Sequence, residues 1–201
     1  MIPAIILAAG LSRRFPGNKL LYIWEGKPVI RLTAENALSS KASPVIIVVG
    51  HDKDKITEAV RSLDVEIVYN PNYRKGMSSS VKTGVKHVVE KYDDEIEAII
   101  IMPGDAAWAP PEAYDLVIDV YREKKAPIVV AAYNGRRGHP ILFDKSLIPE
   151  ILSIGEETRG LKKVTNKYRL DTIVVESPYP GVILDLDNPN DLNRVKRTLL
   201  K

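Results

Sequence analysis

The sequence contains no cysteine and no glutamine, and its only three histidines are His51, His87 and His139. The missing cysteine excludes disulfide bridges, iron–sulfur clusters, thiolate zinc sites and a cysteine nucleophile. The spacing of the histidines matches neither a zinc-protease motif nor a histidine metal cluster. Any nucleophilic or metal-centred chemistry must therefore rest on other side chains.

A strong excess of one charge and a long apolar run are absent as well. The formal net charge is only +3 over 201 residues, and no basic block or aromatic stacking motif occurs. We therefore expect no nucleic-acid partner. No apolar stretch is long enough to cross a bilayer, and no basic region precedes the first apolar run. We expect a cytoplasmic protein without a membrane partner.

What the sequence does contain is a regular alternation of apolar runs and helical patterns. Hydrophobic residues make up 45% of the chain and no linker or internal repeat interrupts it, so we predict one domain over residues 1–201. Apolar, β-branched runs predict strands at residues 3–9, 45–50, 65–69, 98–102, 127–132, 172–175 and 182–186. Helical patterns lie between them at residues 29–38, 55–63, 79–91, 111–123, 146–152, 158–167 and 190–199.

This alternation of strands and helices predicts an α/β fold with a mostly parallel sheet and right-handed crossovers. Several of the strand runs are apolar without interruption, which is typical of strands covered on both faces. Residues 134–143 look like an insertion that pairs as an antiparallel hairpin. In such a sheet, ligands bind outside the carboxyl ends of the strands, so functional residues are expected in the loops that follow the strands.

The loop after the first predicted strand carries three cations and no acid. Its sequence is LAAGLSRRFPGNK, residues 7–19, and the cations are Arg13, Arg14 and Lys19. Clustered positive charge is unfavourable unless water or an anion neutralises it. Arginine holds phosphate oxygens bidentately, lysine supplies a point charge, and Gly10 lets backbone N–H groups approach a phosphate. The loop therefore predicts a triphosphate site, and the alternative is a solvated turn with surface arginines.

Two familiar phosphate loops do not fit this stretch. A Walker loop needs a glycine five residues after Gly10, where Phe15 stands, and Leu20 follows Lys19 in place of serine or threonine. The dinucleotide fingerprint G-x-G-x-x-G is absent from the sequence too, which disfavours a dinucleotide-binding oxidoreductase. The stretch therefore predicts a phosphate loop of a different kind.

Two acidic segments follow later apolar runs. AIIIMPGDAAW ends a run with Pro103, Gly104 and Asp105, and VILDLDNPNDL carries Asp185 and Asp187 on one face of a predicted strand. A carboxylate beside a phosphate pocket is costly unless it holds a cation. Mg²⁺ takes one or two carboxylates together with waters and substrate phosphates, which fits both segments. The alternative for each segment is a turn or the start of a helix.

Two further segments complete the set of candidates. NPNYRKGMSSSVKTGV follows a predicted strand, and NGRRGHPILF lies in the predicted hairpin. Serine hydroxyls at a helix start either cap the helix or contact a nucleobase edge. The default interpretation of the histidine is an ordinary hairpin residue. The candidates in these segments are Ser79, Ser80, Gly84, Arg136, Arg137 and His139.

In this order the motifs resemble the nucleotidyltransferases that attach CMP or GMP to molybdopterin, together with relatives that activate sugar and alcohol phosphates. The family pattern is L-A-(A/G)-G-x-S-x-R-M-G-x-x-K, in which Phe15 here replaces methionine and Pro16 replaces glycine. The resemblance implies a Rossmann-like, three-layer fold of the nucleotide-diphospho-sugar transferase type. The residues that match the pattern are Leu7, Ala8, Ala9, Gly10, Ser12, Arg14 and Lys19.

The resemblance also implies roles for the candidates. It implies catalytic roles for Arg14 and Lys19, and Mg²⁺ on Asp105 and Asp187 with Asp185 beside them. The second substrate, a pterin with its phosphate, is implied at Arg136, Arg137 and His139. The implied nucleotide-binding residues are Leu7, Ala8, Ala9, Gly10, Ser12, Arg13, Ser79, Ser80, Gly84, Pro103 and Gly104, and Gly155 matches a further family segment only loosely.

The implied reaction is transfer of CMP from CTP to the terminal phosphate of molybdopterin, with release of pyrophosphate. The guanylyl branch usually reads L-A-G-G, so Ala9 favours CTP over GTP. A molybdoenzyme that receives the product is an implied partner. Three alternatives stay open: GMP transfer to the same cofactor, nucleotidyl transfer to a sugar or alcohol phosphate, and a non-catalytic carrier of the finished cofactor.

Overall fold

The computed structural model of the chain describes residues 1–155 and 160–199. It contains a seven-stranded sheet and a second, two-stranded sheet. The strands are β1 (Ala4–Ala8), β2 (Ile23–Trp24), β3 (Lys27–Pro28), β4 (Val45–Val49), β5 (Glu66–Tyr69), β6 (Ala98–Pro103), β7 (Ile128–Tyr133), β8 (Arg136–Asp144) and β9 (Thr172–Glu176). The helices are α1 (Val29–Leu38), α2 (Lys53–Val60), α3 (Met77–Tyr92), α4 (Pro111–Lys124), α5 (Ile148–Leu152), α6 (Leu161–Lys167) and α7 (Asp191–Leu199).

The seven strands lie in the order β5-β4-β1-β6-β8-β7-β9. Every neighbouring pair in this sheet is parallel except the two pairs that β8 makes, which are antiparallel. The predicted α/β class with a mostly parallel sheet is therefore confirmed. The small sheet is the antiparallel pair of β2 and β3.

Side chains that alternate along β1 enter two different cores, because successive residues of a strand point to opposite faces. Ile6 packs in one core with Ile30 of α1 and Ile118 of α4. Ile5 packs in the other core with Val85 of α3. Both faces of the sheet are thus covered by helices, which gives three layers and explains why the apolar runs are continuous.

The predicted antiparallel hairpin is present, but residues 134–143 supply only its turn and most of its second strand, and the preceding strand β7 is its first strand. Asn134 and Gly135 form the turn with φ angles of 49° and 73°, and a tight hairpin turn of this type needs positive φ at both positions. The second strand of this hairpin, β8, is also a full member of the main sheet. Its residue Ile141 pairs with Ile101 of β6 on one side and with Val130 of β7 on the other.

The prediction of a strand at residues 182–186 is wrong. Pro180–Ile183 form a short 3-10 turn, and the residues after it pair with none of the described strands. Gly181 lies directly on the backbone carbonyl of Trp108, where a Cβ would overlap that carbonyl. The chain therefore crosses the loop that follows β6 instead of extending the sheet, and the argument that placed two aspartates on one strand face does not apply.

The helix predictions agree with the described helices to within a few residues at each end. The helix predicted at residues 158–167 corresponds to α6, and residues 158 and 159 lie outside the described residues. Across residues 1–155 and 160–199, no helix combines the length and the apolar character that a membrane span requires.

The strand order indicates at which edge of the sheet a ligand binds. The chain passes from β1 to β4 and β5 on one side of β1, whereas β6 lies on its other side. In an open α/β sheet, ligands bind outside the carboxyl ends of the strands where the order reverses in this way. Gly10 follows β1 and Asp105 follows β6, so both lie at this edge.

Gly84 in α3 offers a test of the packing between this helix and the sheet. A Cβ at Gly84 would lie 2.5 Å from Cγ2 of Ile5 and 2.8 Å from Cγ2 of Val48. Alanine normally favours a helix over glycine by about 1 kcal/mol. Here we expect Gly84→Ala to lower the free energy of unfolding by about 1–3 kcal/mol, because the added methyl group overpacks the core. Urea unfolding measures the change, with exposed Lys86→Ala on the same helix as the control. A more stable Gly84→Ala variant would contradict this packing.

Candidate active site

The loop that follows β1 is braced by its own polar side chains. Ser12 has a φ of 49°, and its hydroxyl accepts a hydrogen bond from the backbone N–H of Lys19 at 3.3 Å. The side-chain oxygen of Asn18 accepts from the backbone N–H of Leu20 at 3.0 Å. Asn18 Nδ2 also donates to Asp52 Oδ2, in the loop before α2, at 3.3 Å. These bonds shape the loop from within, and Ser12 contributes to that shape.

This β1 loop, the end of β6 and the start of α3 line a cavity of about 390 Å³. Pockets for small ligands and cofactors commonly measure about 300–1,000 Å³, so the cavity has room for a nucleotide. The predicted site residues that line it are Leu7, Ala9, Gly10, Ser12, Arg13, Lys19, Ser80, Pro103 and Asp105. The remaining lining residues are Leu11, Leu20, Tyr73, Arg74, Gly76 and Met77.

Gly104 fixes how the end of β6 approaches β1. Its backbone N–H donates to the carbonyl of Leu7 at 3.0 Å, and a Cβ on Gly104 would lie 2.9 Å from that same oxygen. Buried Thr33 donates from Oγ1 to the Gly104 carbonyl at 2.8 Å. This close approach requires glycine and directs the next residue, Asp105, into the cavity wall. Gly104 and Ala8 themselves are not among the residues that line the cavity.

Four charged side chains from three parts of the chain meet beside this cavity. Lys19 Nζ lies 2.5 Å from Asp105 Oδ2 and 3.4 Å from Asp187 Oδ1. Arg14 Nη2 lies 2.8 Å from the same oxygen of Asp187. The lysine ammonium therefore lies between two carboxylates, and the arginine, whose side chain is 71% exposed, binds the outer one.

Burial raises the pKa of the Asp105 carboxyl above its ordinary value, and the neighbouring Lys19 ammonium lowers it again. The negative charge of Asp185 acts in the same direction as burial. A buried carboxylate without a partner costs several kcal/mol, because it loses its hydration. Lys19 is therefore the group that stabilises the charged form of Asp105.

The carboxylates of Asp105 and Asp187 form a donor set that suits a divalent cation. Mg²⁺ prefers carboxylate oxygens, and the Lys19 ammonium already lies between these two groups as a positive charge. Asp185 has a different partner, since its Oδ1 lies 2.7 Å from Arg194 Nη2. Within the described residues, no three histidine, aspartate or glutamate side chains are grouped closely enough to hold a metal. The donor set is therefore a pair of carboxylates, and water and phosphate would complete it.

Of the three candidates on α3, only Ser80 lines the cavity. The buried side chain of Asn70 donates from Nδ2 to Ser79 Oγ at 2.8 Å and to Ser80 Oγ at 3.0 Å. Ser79 Oγ also donates to the carbonyl of Gly76 at 2.8 Å, so this hydroxyl holds the start of the helix. Gly84 lies deeper in α3 and packs against the sheet.

Two of the three candidates on β8 lie at a second cavity. Arg137 and His139 line a space of about 240 Å³ between β7, β8, β9 and α6, whereas Arg136 is exposed on the hairpin and does not line it. Burial lowers the pKa of His139 to about 4, so its imidazole is neutral at pH 7, and its Nδ1 has no hydrogen-bond partner among the described residues. The carbonyl of Gly155 accepts a hydrogen bond from the Gly160 N–H at 3.0 Å.

Sequence reasoning missed several residues that shape the site. Asn70 directly follows β5, so the rule that found Asp105 at a strand end could have found it too. Arg74 is a further cation in the serine segment, and the cavity wall includes it. Thr33 and Met77 carry no comparable signal, because one lies in the middle of α1 and the other is an exposed apolar residue.

The comparison with known protein families agrees with this geometry. The sequence profile of the MobA-like NTP transferase domain matches residues 4–173. The chain belongs to the MobA-like NTP transferase family. This MobA-like chain is similar to the molybdenum cofactor cytidylyltransferase of Escherichia coli (strain K12). The two are 28% identical over 196 residues, which covers 97% of this chain and 95% of the relative.

Solved structures share the fold of this MobA-like chain. A nucleotidyl transferase from Methanothermobacter thermautotroptrophicus superposes with a TM-score of 0.82 at 22% identity, covering 100% of this chain and 98% of the other. A Mycobacterium tuberculosis H37Rv protein solved in complex with manganese superposes with a TM-score of 0.73 at 21% identity, covering 98% of each chain. The fold is the Rossmann-like nucleotidyltransferase fold, and family and fold together make this chain a nucleotidyltransferase.

Gly10 offers a test of whether the β1 loop holds a phosphate. Apart from Gly10 and its two chain neighbours, no heavy atom of residues 1–155 and 160–199 lies within 4 Å of the position that a Cβ on Gly10 would take, so these residues do not require glycine there. A phosphate at the backbone would require it. We expect Gly10→Ala to change the free energy of unfolding by less than about 0.5 kcal/mol. We expect the same variant to weaken CTP binding by about tenfold or more, which corresponds to about 1.4 kcal/mol.

Calorimetric titration with CTP and urea unfolding measure the two effects. Gly17→Ala in the same loop provides the contrast, because Gly17 has a φ of 76° and alanine there is strained. That variant should lose stability, whereas Gly10→Ala should lose affinity. Unchanged CTP affinity in Gly10→Ala would contradict a phosphate site at this backbone.

Proposed function

We propose that this chain transfers CMP from CTP to the terminal phosphate of a molybdopterin-type cofactor and releases pyrophosphate. The observation that carries the proposal is the Lys19 ammonium between the carboxylates of Asp105 and Asp187, beside a cavity of nucleotide size. The similarity of nearly the whole chain to a molybdenum cofactor cytidylyltransferase supports this choice of substrates. A molybdoenzyme that receives the product belongs to the same proposal.

The charge balance of the site supports a role for a divalent cation. Lys19 and Arg14 are matched by Asp105 and Asp187, so these four groups together cannot neutralise a triphosphate. Mg²⁺ bound by Asp105 and Asp187 would supply that missing positive charge next to the nucleotide phosphates. One solved protein of the same fold is a manganese complex, which supports a divalent ion.

The chain's own residues have roles that follow from their positions. The backbone at Gly10 and the guanidinium of Arg13 lie in the cavity wall and would hold the triphosphate. Lys19 and Arg14 would stabilise the charge that develops on the α-phosphate and on the departing pyrophosphate. Ser80, held by the buried amide of Asn70, offers a fixed hydroxyl in the cavity wall. Catalysis then consists of orientation and charge neutralisation.

The acceptor in this proposal needs no general base. A phosphate monoester has a second pKa of about 6, so it is already mostly anionic at pH 7. Arg137 and His139 at the second cavity, together with exposed Arg136, are the proposed contacts for the acceptor. His139 is neutral at this pH and is suited to hydrogen bonding rather than to charge neutralisation.

Ala9 supports CTP as the nucleotide. It lies in the cavity wall next to Gly10 and makes the motif L-A-A-G, where the guanylyl branch of the resembling family usually reads L-A-G-G. A Cβ added to Gly50 would lie 2.8 Å from the Cβ of Ala9 and 2.6 Å from the Cβ of Tyr73, so both side chains lie close to the Gly50 backbone. Ala9 and Tyr73 also line the same cavity, and the part of the wall that they share is the proposed nucleobase side.

Pyrophosphate release tests the proposed reaction. We expect release when the protein is mixed with Mg²⁺, molybdopterin and CTP, and at least about tenfold less with GTP or ATP. Asp105→Asn should lower the CTP rate by about a hundredfold or more, because the buried carboxylate beside Lys19 is lost. Asp119→Asn, which makes the same chemical change on an exposed carboxylate of α4, is the matched control.

The outcomes separate the alternatives. Release with GTP alone would keep the mechanism and overturn the choice of nucleotide. Release only when molybdopterin is replaced by a sugar or alcohol phosphate would overturn the acceptor. Full activity of Asp105→Asn would remove the role of this carboxylate. A folded protein that binds nucleotide but releases no pyrophosphate with any acceptor would favour a carrier.

A further inference from the structure

The second carboxylate of the proposed metal site comes from a segment that has no strand partner among the described residues. Asp187 lies between the turn Pro180–Ile183 and the start of α7. No sheet ladder therefore fixes its backbone. Its side chain nevertheless lies within ion-pair distance of both Lys19 and Arg14. Some other interaction must hold this backbone in place.

Asp191, the first residue of α7, supplies that interaction. Its Oδ2 accepts hydrogen bonds from the backbone N–H of Asp187 at 2.9 Å and from the backbone N–H of Asn188 at 2.8 Å. The side chain of Asn188 donates to the same oxygen at 2.9 Å. Three donors on one carboxylate oxygen form a set of charge-assisted bonds, which are stronger than neutral ones.

Part of this arrangement is a capping box, with Asn188 at the N-cap. Asn188 Oδ1 accepts from the backbone N–H of Asn190 at 3.0 Å, and Asp191 reaches back to the backbone N–H of Asn188. The bond from the Asp187 N–H to the same Asp191 oxygen goes one residue beyond such a box, into the segment that carries the second carboxylate. The Asp191 carboxylate therefore ties the preceding segment to the helix and leaves the N–H groups of the helix to other partners.

Arg194, one turn further along α7, holds the other end of the segment. Its Nη2 donates to the backbone carbonyl of Asp185 at 3.2 Å and to Asp185 Oδ1 at 2.7 Å. It also lies 3.6 Å from Asp191 Oδ1. The arginine thus directs the carboxylate of Asp185 towards α7 and links the two anchoring contacts to each other.

The helix that carries both residues is itself fixed to the site. Val195 and Leu192 of α7 pack in a small core with Trp108 and Trp24. Trp108 lies three residues after Asp105, so the loop that carries the first carboxylate and the helix that anchors the second share this core. The distance between the carboxylates of Asp105 and Asp187 therefore depends on the packing of this small core.

We propose that Asp191 and Arg194 are positioning residues that present Asp187, and not Asp185, as the second carboxylate of the metal site. This inference rests on the proposed function, because it assumes a divalent cation at Asp105 and Asp187. It assigns a role to two residues that touch neither the nucleotide cavity nor Lys19 in the structure. It also explains why two aspartates only two residues apart have different partners.

Titration of the whole protein with Mn²⁺ alone tests the inference without any turnover. We expect Asp187→Asn to weaken Mn²⁺ binding by at least about tenfold more than Asp185→Asn does. Asp191→Ala, which removes the acceptor of three hydrogen bonds, should weaken Mn²⁺ binding by about 10–100-fold, as loss of an outer-shell partner typically does. Asp191→Asn keeps an acceptor oxygen and should lie between Asp191→Ala and the unsubstituted protein. Arg197→Ala on the same helix is the control.

Two further measurements separate positioning from a merely structural role. Binding of CTP without a divalent ion should stay within about twofold in Asp191→Ala, because the β1 loop is untouched. Thermal unfolding shows whether each variant is folded. If Asp191→Ala is not folded at the titration temperature, Asp191→Asn takes its place, and Mn²⁺ affinity equal to that of the unsubstituted protein would then overturn the inference.

The Asp187→Asn variant separates the positioning role of Asp191 from the proposed metal site. If Asp187→Asn weakens Mn²⁺ binding and folded Asp191→Ala does not, the positioning role fails while the proposed metal site stands. If Asp187→Asn and Asp105→Asn both leave Mn²⁺ affinity unchanged, the metal site itself fails. Equal losses in Asp185→Asn and Asp187→Asn would overturn the selection of Asp187.

Discussion

The ammonium group of Lys19 between two carboxylates is the interaction on which the arrangement of this site depends. Asp105 is buried at the end of β6, and its charge would be strongly unfavourable there without a partner. The partner can come from the β1 loop because β1 and β6 are paired neighbours in the sheet. The close contact of Gly104 with the end of β1 then places the loop after β6 next to the β1 loop. The strand order, the shape of the β1 loop and the charge balance therefore all serve to pair the buried carboxylate of Asp105 with Lys19.

The small core that contains Trp24 and Trp108 connects the charged cluster around Lys19 to α7. Trp24 and Trp108 meet edge to face with ring centroids 5.6 Å apart, and Leu186 and Val195 pack beside them. Each of these residues comes from a different segment around the site. Tryptophan side chains bury large areas, so a few of them can orient several loops that have little regular structure. The charged cluster is therefore supported by an apolar one directly behind it.

Most of what the sequence could predict about the site came from one rule, which is that ligands bind outside the carboxyl ends of the strands in an open α/β sheet. This rule located the β1 loop and Asp105, because buried parallel strands leave a clear apolar pattern and their carboxyl ends meet at one edge. The segment before α7 was misjudged, since alternating apolar residues look the same whether they face a sheet or a small core such as that of Trp108. Ser79 and Ser80 could not be separated either. Adjacent helix residues point about 100° apart, and only the packing of α3 decides which one faces the cavity.

Lys19 and Asp187 are 168 residues apart in the chain, yet their side chains meet. The entropy of closing a loop grows only slowly with its length, so this separation costs the folded protein little more than a shorter one would. It does set an order in time during synthesis. A ribosome exposes the β1 loop first, then the end of β6, and only later the segment with the second carboxylate. A partly synthesised chain that stops before Asp187 therefore lacks the complete charged cluster.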